Sequence, residues 1–183
     1  MRKVFADRCN LEPQVVAHAP EMFAVLSDPA IYEFENSPPA SEAWLTERFA
    51  RLESRTSPDG SEQWLNWVVR LPTGELAGYV QATVRSDAVA DVAYELASPY
   101  WRQGIGSSAV RAMIGELASH YEVHTLLAVL KARNHRSLAL LEHLGFSRAS
   151  PEQAAATEAE QDEWVMVLQL PSAKAKNAAC PFT

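Results

Sequence analysis

The apolar and polar positions divide this chain into short segments separated by clusters of Pro, Gly, Ser and Asp. Residues 9–16 read as a first strand. Residues 17–27 place Met22, Phe23, Val25 and Leu26 at helical spacing, which predicts a short amphipathic helix. Asp28 and Pro29 begin a turn, and Asn36-Ser37-Pro38-Pro39 is a loop by composition. Ser41 suits the N-cap of a second helix ending near Ser54. One side of that helix carries Trp44, Leu45, Phe49 and Leu52, and the other carries Glu42, Glu47, Arg48 and Arg51.

Residues 62–71 are rich in strand formers (Trp64, Leu65, Trp67, Val68, Val69). Pro72-Thr73-Gly74-Glu75 is a hairpin signal, residues 76–85 return, and Ser86-Asp87-Ala88 turns into residues 89–97. Three consecutive strands with tight turns predict an antiparallel meander. Val110, Met113, Ile114, Leu117 and Tyr121 give residues 109–121 a helical period. Residues 123–130 are almost continuously apolar, as in a strand covered on both faces. This strand–helix–strand unit of about 40 residues favours a parallel pairing through a right-handed crossover.

Asn134 can cap a last helix with Leu138, Leu141 and Leu144 as its buried stripe. Gly145 stands at the left-handed C′ position and Phe146 at C″. A short strand at 146–148, an acidic loop around 154–158, a final strand at 163–170 and a tail at 172–183 complete the chain. The expected organisation is one domain over residues 1–170, followed by a tail over 171–183. The fold class is α/β in the α+β sense: a mixed, mostly antiparallel sheet of six to seven strands with about four helices.

Composition narrows the function. The 183 residues suffice for one sizeable core, and 48% apolar with 21% charged residues is ordinary for a soluble globular chain. A net charge of −7 argues against a general nucleic-acid coat. It fits a cationic partner such as an amine, or a merely solubilising surface. Cys9 and Cys180 form neither metal-ligand spacing nor a disulfide framework, which suits a reducing cytoplasm. His18, His120, His124, His135 and His143 show no metal-ligand spacing either, so no metal is expected. No apolar run approaches the length of a membrane span, and residues 1–10 lack the apolar core of a secretory signal.

The stretch Tyr100-Trp101-Arg102-Gln103-Gly104-Ile105-Gly106-Ser107-Ser108 joins a strand to a helix. Glycines there let backbone N–H groups turn toward one point, and the first amides of a helix have no internal partner. Two readings stand on this stretch alone: an anion cradle, or an ordinary strand-to-helix turn.

The order of elements resembles the GNAT superfamily of N-acetyltransferases over roughly residues 8 to 170. Two motifs carry the resemblance. Trp101-Arg102-Gln103-Gly104-Ile105-Gly106 resembles the acetyl-CoA pyrophosphate loop. Asn134-x-x-Ser137-x-x-x-Leu141-Glu142-x-Leu144-Gly145-Phe146 resembles the second conserved segment, in the form of the branch containing ribosomal-protein N-terminal acetyltransferases.

The resemblance implies a sheet splayed in its middle and acetyl-CoA as cosubstrate. It implies cofactor contacts from Leu96, Ala97 and Ser98 on a free strand edge, and from Arg102, Gln103, Gly104, Ile105, Gly106, Ser107 and Ser108. Asn134 serves as a pantetheine contact, as an N-cap, or as both. Arg102 stands beside the diphosphate or faces solvent. Transfer to a primary amine further needs a donor near Leu96 for the oxyanion, a carboxylate near the amine and a proton for the leaving thiolate. Glu95 and Asp91 are the carboxylate candidates, Glu95 ahead; the alternative is a salt-bridged strand Glu.

Relatives carry a Tyr where this chain has Leu141, so Ser137 is assigned the thiolate; its alternative is a local backbone bond. Residues 31–40, with Tyr32, Phe34 and Trp44 nearby, are expected at the acceptor wall. The acceptor is a protein N-terminus or a small amine. The alternatives are an aminoglycoside or polyamine acceptor, or a CoA-binding module without catalysis. A cytoplasmic monomer or homodimer, away from nucleic acid and membrane, completes the expectation.

Overall fold

The computed structural model describes residues 1–34, 36–155, 157 and 159–171. The tail expected at 172–183, with Cys180, lies outside the described residues, as do Ala156 and Glu158 of the acidic loop. The chain begins with β1 (Val4–Phe5) and β2 (Asn10–Pro13), then a 3-10 turn at Val16–His18 that leads into α1 (Ala19–Leu26). A second 3-10 turn, Pro29–Tyr32, follows, its start capped by Asp28 accepting from the Ala30 N–H. Ser41 caps α2 (Glu42–Leu52) by accepting from the Trp44 N–H, a contact worth about 1 kcal/mol.

β3 (Glu62–Arg70), β4 (Leu76–Arg85) and β5 (Val89–Leu96) form the meander. α3 (Ile105–His120), β6 (Thr125–Lys131), α4 (His135–His143), β7 (Ser147–Arg148), α5 (Pro151–Ala155) and β8 (Glu163–Gln169) complete the order.

One mixed sheet of eight strands runs β1-β2-β3-β4-β5-β6-β8-β7. All neighbouring pairs are antiparallel except β5 with β6, which is the parallel pairing expected of the crossover. The count exceeds the expected six to seven because of β1, whose two residues pair Val4 with Leu11 and Phe5 with Asn10. Two residues are too few to leave a periodic signal.

Two other differences are local. α3 begins at Ile105 rather than Ala109, because Gly104, at φ 76°, is the N-cap. The first turn, Ile105-Gly106-Ser107-Ser108, has low helix propensity and hides the start. The loop expected around 154–158 is preceded by α5, closed by a reciprocal cap in which Gln153 N–H donates to Ser150 Oγ and Ser150 N–H to Gln153 Oε1.

The period-two pattern sends each strand's residues to two faces. Leu65, Trp67 and Val69, with Val80, Ala82, Val84, Ala90 and Val92, pack against Ile105, Val110, Met113 and Leu117 of α3. The intervening Val68 packs with Met22 and Leu26 of α1 and Leu45 and Phe49 of α2. α4 ends as its sequence predicts. Gly145, at φ 92°, donates to Glu142 O and Phe146 donates to Leu141 O, each at 3.0 Å. Phe146 and Leu141 are buried in the same cluster.

Candidate active site

The sheet opens between β5 and β6. Their pairing covers Val89 with Thr125, Ala90 with Leu126 and Asp91 with Leu127, and then stops. β5 continues against β4 to Leu96, and β6 continues against β8 to Lys131. Residues 92–96 therefore keep a strand neighbour on one side only. The Ala97 N–H donates to Ala77 O at 2.9 Å, which sets the odd positions of β5 toward β4. Alternation turns the N–H and C=O of Val92, Tyr94 and Leu96 toward the opening. An extended ligand that carries amides can pair along such an edge. The Leu96 carbonyl already accepts from Trp101 Nε1 at 2.7 Å.

A cavity of about 940 Å³ passes through this opening and is lined from both faces of the sheet. Glu95, Leu96, Arg102, Gly104, Gly106, Ser107, Asn134 and Ser137, all singled out in the sequence, line it together. The other five do not. Ala97 is buried with its N–H on Ala77, and the Ser98 N–H donates to Asp28 Oδ2 at 2.6 Å. Burial alone would raise the Asp28 pKa, but hydrogen bonds from Ser98 and Ala30 hold it below the ordinary carboxylate value. Gln103 donates its side-chain amide to Pro99 O, and the Ile105 side chain joins the core. Ser108 Oγ accepts from the Arg8 N–H and faces a smaller neighbouring cavity of about 400 Å³.

One end of the large cavity meets the N-terminus of α3. The Ser108 N–H, bonded to Gly104 O at 3.0 Å, is the first to find a partner inside α3. The amides of Ile105, Gly106 and Ser107 thus project from the positive end of a 16-residue helix. The two glycines differ in purpose. Gly104 holds a left-handed conformation, whereas a Cβ on Gly106 would lie 3.0 Å from Leu140 Cδ1, so Gly106 keeps α3 close to α4. Gly104→Ala is expected to lower unfolding stability by about 1–2 kcal/mol through the left-handed φ alone. It should also weaken CoA binding; urea denaturation and calorimetric titration with CoA check both.

Arg136 crosses the mouth of the cavity. Its guanidinium lies 4.1 Å from the Trp101 ring centroid and 5.5 Å from that of Phe34, and it pairs with Glu33 at 2.8 Å. No pattern in the sequence marked it, because its ion-pair partner Glu33 is 103 positions away along the chain.

At the opening, two polar groups face from opposite sides of the sheet. On the α4 side Tyr94 Oη lies 2.7 Å from Ser137 Oγ. Burial pushes the Tyr94 pKa up to about 12, so this hydroxyl remains protonated through neutral and mildly alkaline pH. Asn134 Oδ1 accepts from the Ser137 N–H and caps α4. Leu141, at the position where the resemblance implies a Tyr, is 1% exposed and packed into the core. On the α1–α2 side, the Tyr79 hydroxyl hydrogen-bonds the Glu95 carboxylate. Burial, then the charge of Glu95, pushes the Tyr79 pKa well above the ordinary tyrosine value, and the same two causes raise that of Tyr32. Asp91, the other candidate carboxylate, is held by Arg85 at 2.9 Å and does not line the cavity.

Tyr94 and Tyr79 escaped the sequence reading, although strand parity places one on each face. Among the described residues no group of three His, Cys, Asp or Glu is placed to hold a metal ion. No helix among them is long and apolar enough to cross a membrane.

The sheet that opens between β5 and β6, with the glycine-rich turn at the head of α3, places the chain in the α+β class with a mixed, mostly antiparallel sheet. The chain belongs to the GNAT acetyltransferase family, whose acetyltransferase (GNAT) domain profile matches residues 8–147. The family consists of acetyl-CoA-dependent N-acetyltransferases, which makes this protein an enzyme of that class.

Among solved structures, a ribosomal L7/L12 alpha-N-protein acetyltransferase in complex with coenzyme A is similar at 14% identity. That match covers 92% of this chain and 98% of the other, with a TM-score of 0.76. A ribosomal-protein-S5-alanine acetyltransferase from Vibrio fischeri is similar at 17% identity over 91% and 96%, with a TM-score of 0.73. An aminoglycoside acetyltransferase in complex with coenzyme A is similar at 20% identity over 87% and 93%, with a TM-score of 0.70. At these identities the likeness is one of fold. No curated protein matches the sequence closely enough to count as a relative.

Proposed function

We propose that the protein transfers the acetyl group of acetyl-CoA to the α-amine of a peptide or protein N-terminus, by direct attack within a ternary complex. The observation that carries this reading is the charge of the cavity. Among its described lining residues Arg48, Arg102 and Arg136 are cationic, and Glu95 is the sole carboxylate. An aminoglycoside or polyamine would bring several ammonium groups and needs several carboxylates to offset their desolvation. A single N-terminal amine needs one. Apart from Glu95, the carboxylates of the described residues do not line this cavity, so the net charge of −7 gives no support to a polycation.

In this reading the diphosphate lies against the amides of Ile105, Gly106 and Ser107, with Arg102 beside it. The pantetheine amides pair with the free edge at Val92, Tyr94 and Leu96, and the amine enters from the α1–α2 face toward Glu95. The nitrogen lone pair forms the new C–N bond, the amine proton passes to Glu95 directly or through water, and the C–S bond breaks. The thiolate takes a proton from Ser137, whose own is replaced from Tyr94, and Tyr94 is reprotonated from solvent. A CoA thiol has a pKa near 8.5, so this last step gives modest acceleration.

Ser137→Ala is accordingly expected to lower kcat on the order of tenfold, with Tyr94→Phe costing less. The double variant should be no slower than Ser137→Ala, because both remove one proton path. Because Tyr94 titrates only near pH 12, both deficits should stay constant from neutral pH to mildly alkaline pH. Additive losses, measured by thiol release under saturating substrates, would disprove the path.

The function itself is tested by thiol release from acetyl-CoA against free N-terminal peptides, N-blocked lysine peptides, spermidine and kanamycin. Free N-terminal peptides are expected to turn over best. Faster turnover of the polycations would overturn the reading, and tight CoA binding without turnover of any amine would point to a non-catalytic module.

A further inference from the structure

On the α1–α2 face, three carboxamides form a row beside Glu95. Asn66 is paired with Gln81 across β3 and β4, and Gln81 with Ala93 across β4 and β5. Gln14 follows β2 directly, with its N–H on Asn66 O at 2.9 Å. All three residues line the large cavity. Gln14 is 4% exposed and Asn66 5%. Among the described residues, Gln14 Nε2 is the one buried side-chain polar atom that lacks a hydrogen-bond partner. Its backbone is pinned, since Arg55 donates to Gln14 O at 2.6 Å and to Asn66 O at 3.4 Å.

A buried donor that lines a ligand cavity and has no partner in the protein calls for an acceptor oxygen from the ligand. Strands lie about 4.8 Å apart, so Gln81, one strand from β5, and Gln14, three strands away, stand at roughly 8 Å and 16 Å from Glu95. At about 3.3 Å per extended residue, those distances match the second or third residue and about the fifth residue of a peptide. A peptide offers a carbonyl oxygen at each position, whereas a polyamine offers ammonium donors that cannot satisfy Gln14.

We infer that the Gln81–Asn66–Gln14 row is a subsite for the backbone of the acceptor peptide. It runs from the amine at Glu95 across β4 and β3 to the end of β2, and Gln14 Nε2 donates to a carbonyl near the fifth residue. The inference rests on the proposal that the acceptor is a peptide N-terminus. Its recognition is neutral and main-chain directed, so it selects peptide length ahead of side-chain sequence.

The test compares an N-terminal tripeptide with a hexapeptide on the whole enzyme. Gln14→Met keeps the volume and removes the donor. It is expected to raise the hexapeptide KM about tenfold. The tripeptide KM and the acetyl-CoA KM should hold, and the melting temperature should be unchanged or higher. Gln81→Leu, less buried, is expected to raise the KM of both peptides. If Gln14→Met folds poorly, the two peptides compared on Gln14→Asn, whose shorter side chain withdraws the donor, carry the same length test. Equal effects of the Gln14 substitution on both lengths, or none, overturn the subsite while leaving the peptide reading intact. Failure of the unaltered enzyme to acetylate either peptide overturns the peptide reading and the subsite with it.

Discussion

Gly78→Ala is expected to be the most damaging single-methyl change in this protein, costing on the order of 3 kcal/mol or more. A Cβ at Gly78 would overlap Glu95 O and lie 2.8 Å from Leu96 Cα. Both atoms are backbone, so no side chain can swing aside. β4 and β5 must move apart, and they do so at the end of β5 that β6 has already left. The displaced residues are those that carry the carboxylate and the free edge of the opening. Where the variant folds, its acetyl transfer should fall further than its stability predicts, because displacements near 1 Å at a reacting centre cost about a hundredfold. Urea denaturation and single-turnover acetylation at low temperature separate the two losses. A variant with unchanged midpoint and unchanged rate would refute the close approach.

The sheet was legible where the pattern is local. Hairpin turns at Pro72–Glu75 and Ser86–Ala88 fixed the meander, and the continuous apolar run fixed β6 as a strand covered on both sides. The glycine cap of α4 was legible for the same reason: each partner lies within five residues. The loop before α3 was legible as a glycine-rich strand-to-helix turn, but the helix starts earlier than its apolar period shows because Gly106, Ser107 and Ser108 fill its first turn. What stayed hidden depends on long-range registry. Tyr79 meets Glu95 only because β4 and β5 pair in one register, and Tyr94 meets Ser137 only because β5 leaves β6. The carboxamide row needs three registers at once. Gln14, Asn66 and Gln81 are unremarkable polar residues in sequence and become a set only across the folded sheet.

Ala97 and Ser98 illustrate the converse. The resemblance to the family carried a free edge through Ser98, but the edge ends at Leu96. Ala97 remains on β4, and Asp28 captures the Ser98 amide, which joins the turn after α1 to the end of β5. That tie places the Pro29–Tyr32 turn, and with it Tyr32, beside Glu95.

Glu95→Gln is expected to lower kcat/KM for the peptide acceptor by about two to three orders of magnitude at neutral pH. Glutamine retains the shape and can still accept from Tyr79, so the change removes the charge and the proton acceptor with little disturbance of packing. The sign of the pH dependence follows from the substrate. A peptide α-amine has a pKa of about 8, so at pH 7 most of it is protonated and unreactive, and in the proposed reaction the carboxylate draws it in and takes the proton. Above that pKa the amine arrives neutral and the carboxylate is needed less. The deficit of the variant should therefore shrink as pH rises from 7 to 9.5, while the acetyl-CoA KM, set at the far end of the cavity, stays constant. Tyr79 and Tyr32 sharpen this expectation, since burial and the charge of Glu95 keep both phenols protonated across that range. The change in rate is then assigned to the amine and Glu95 alone. A deficit that is flat with pH would reduce Glu95 to an orienting anion, and an unchanged kcat/KM would remove it from the reaction.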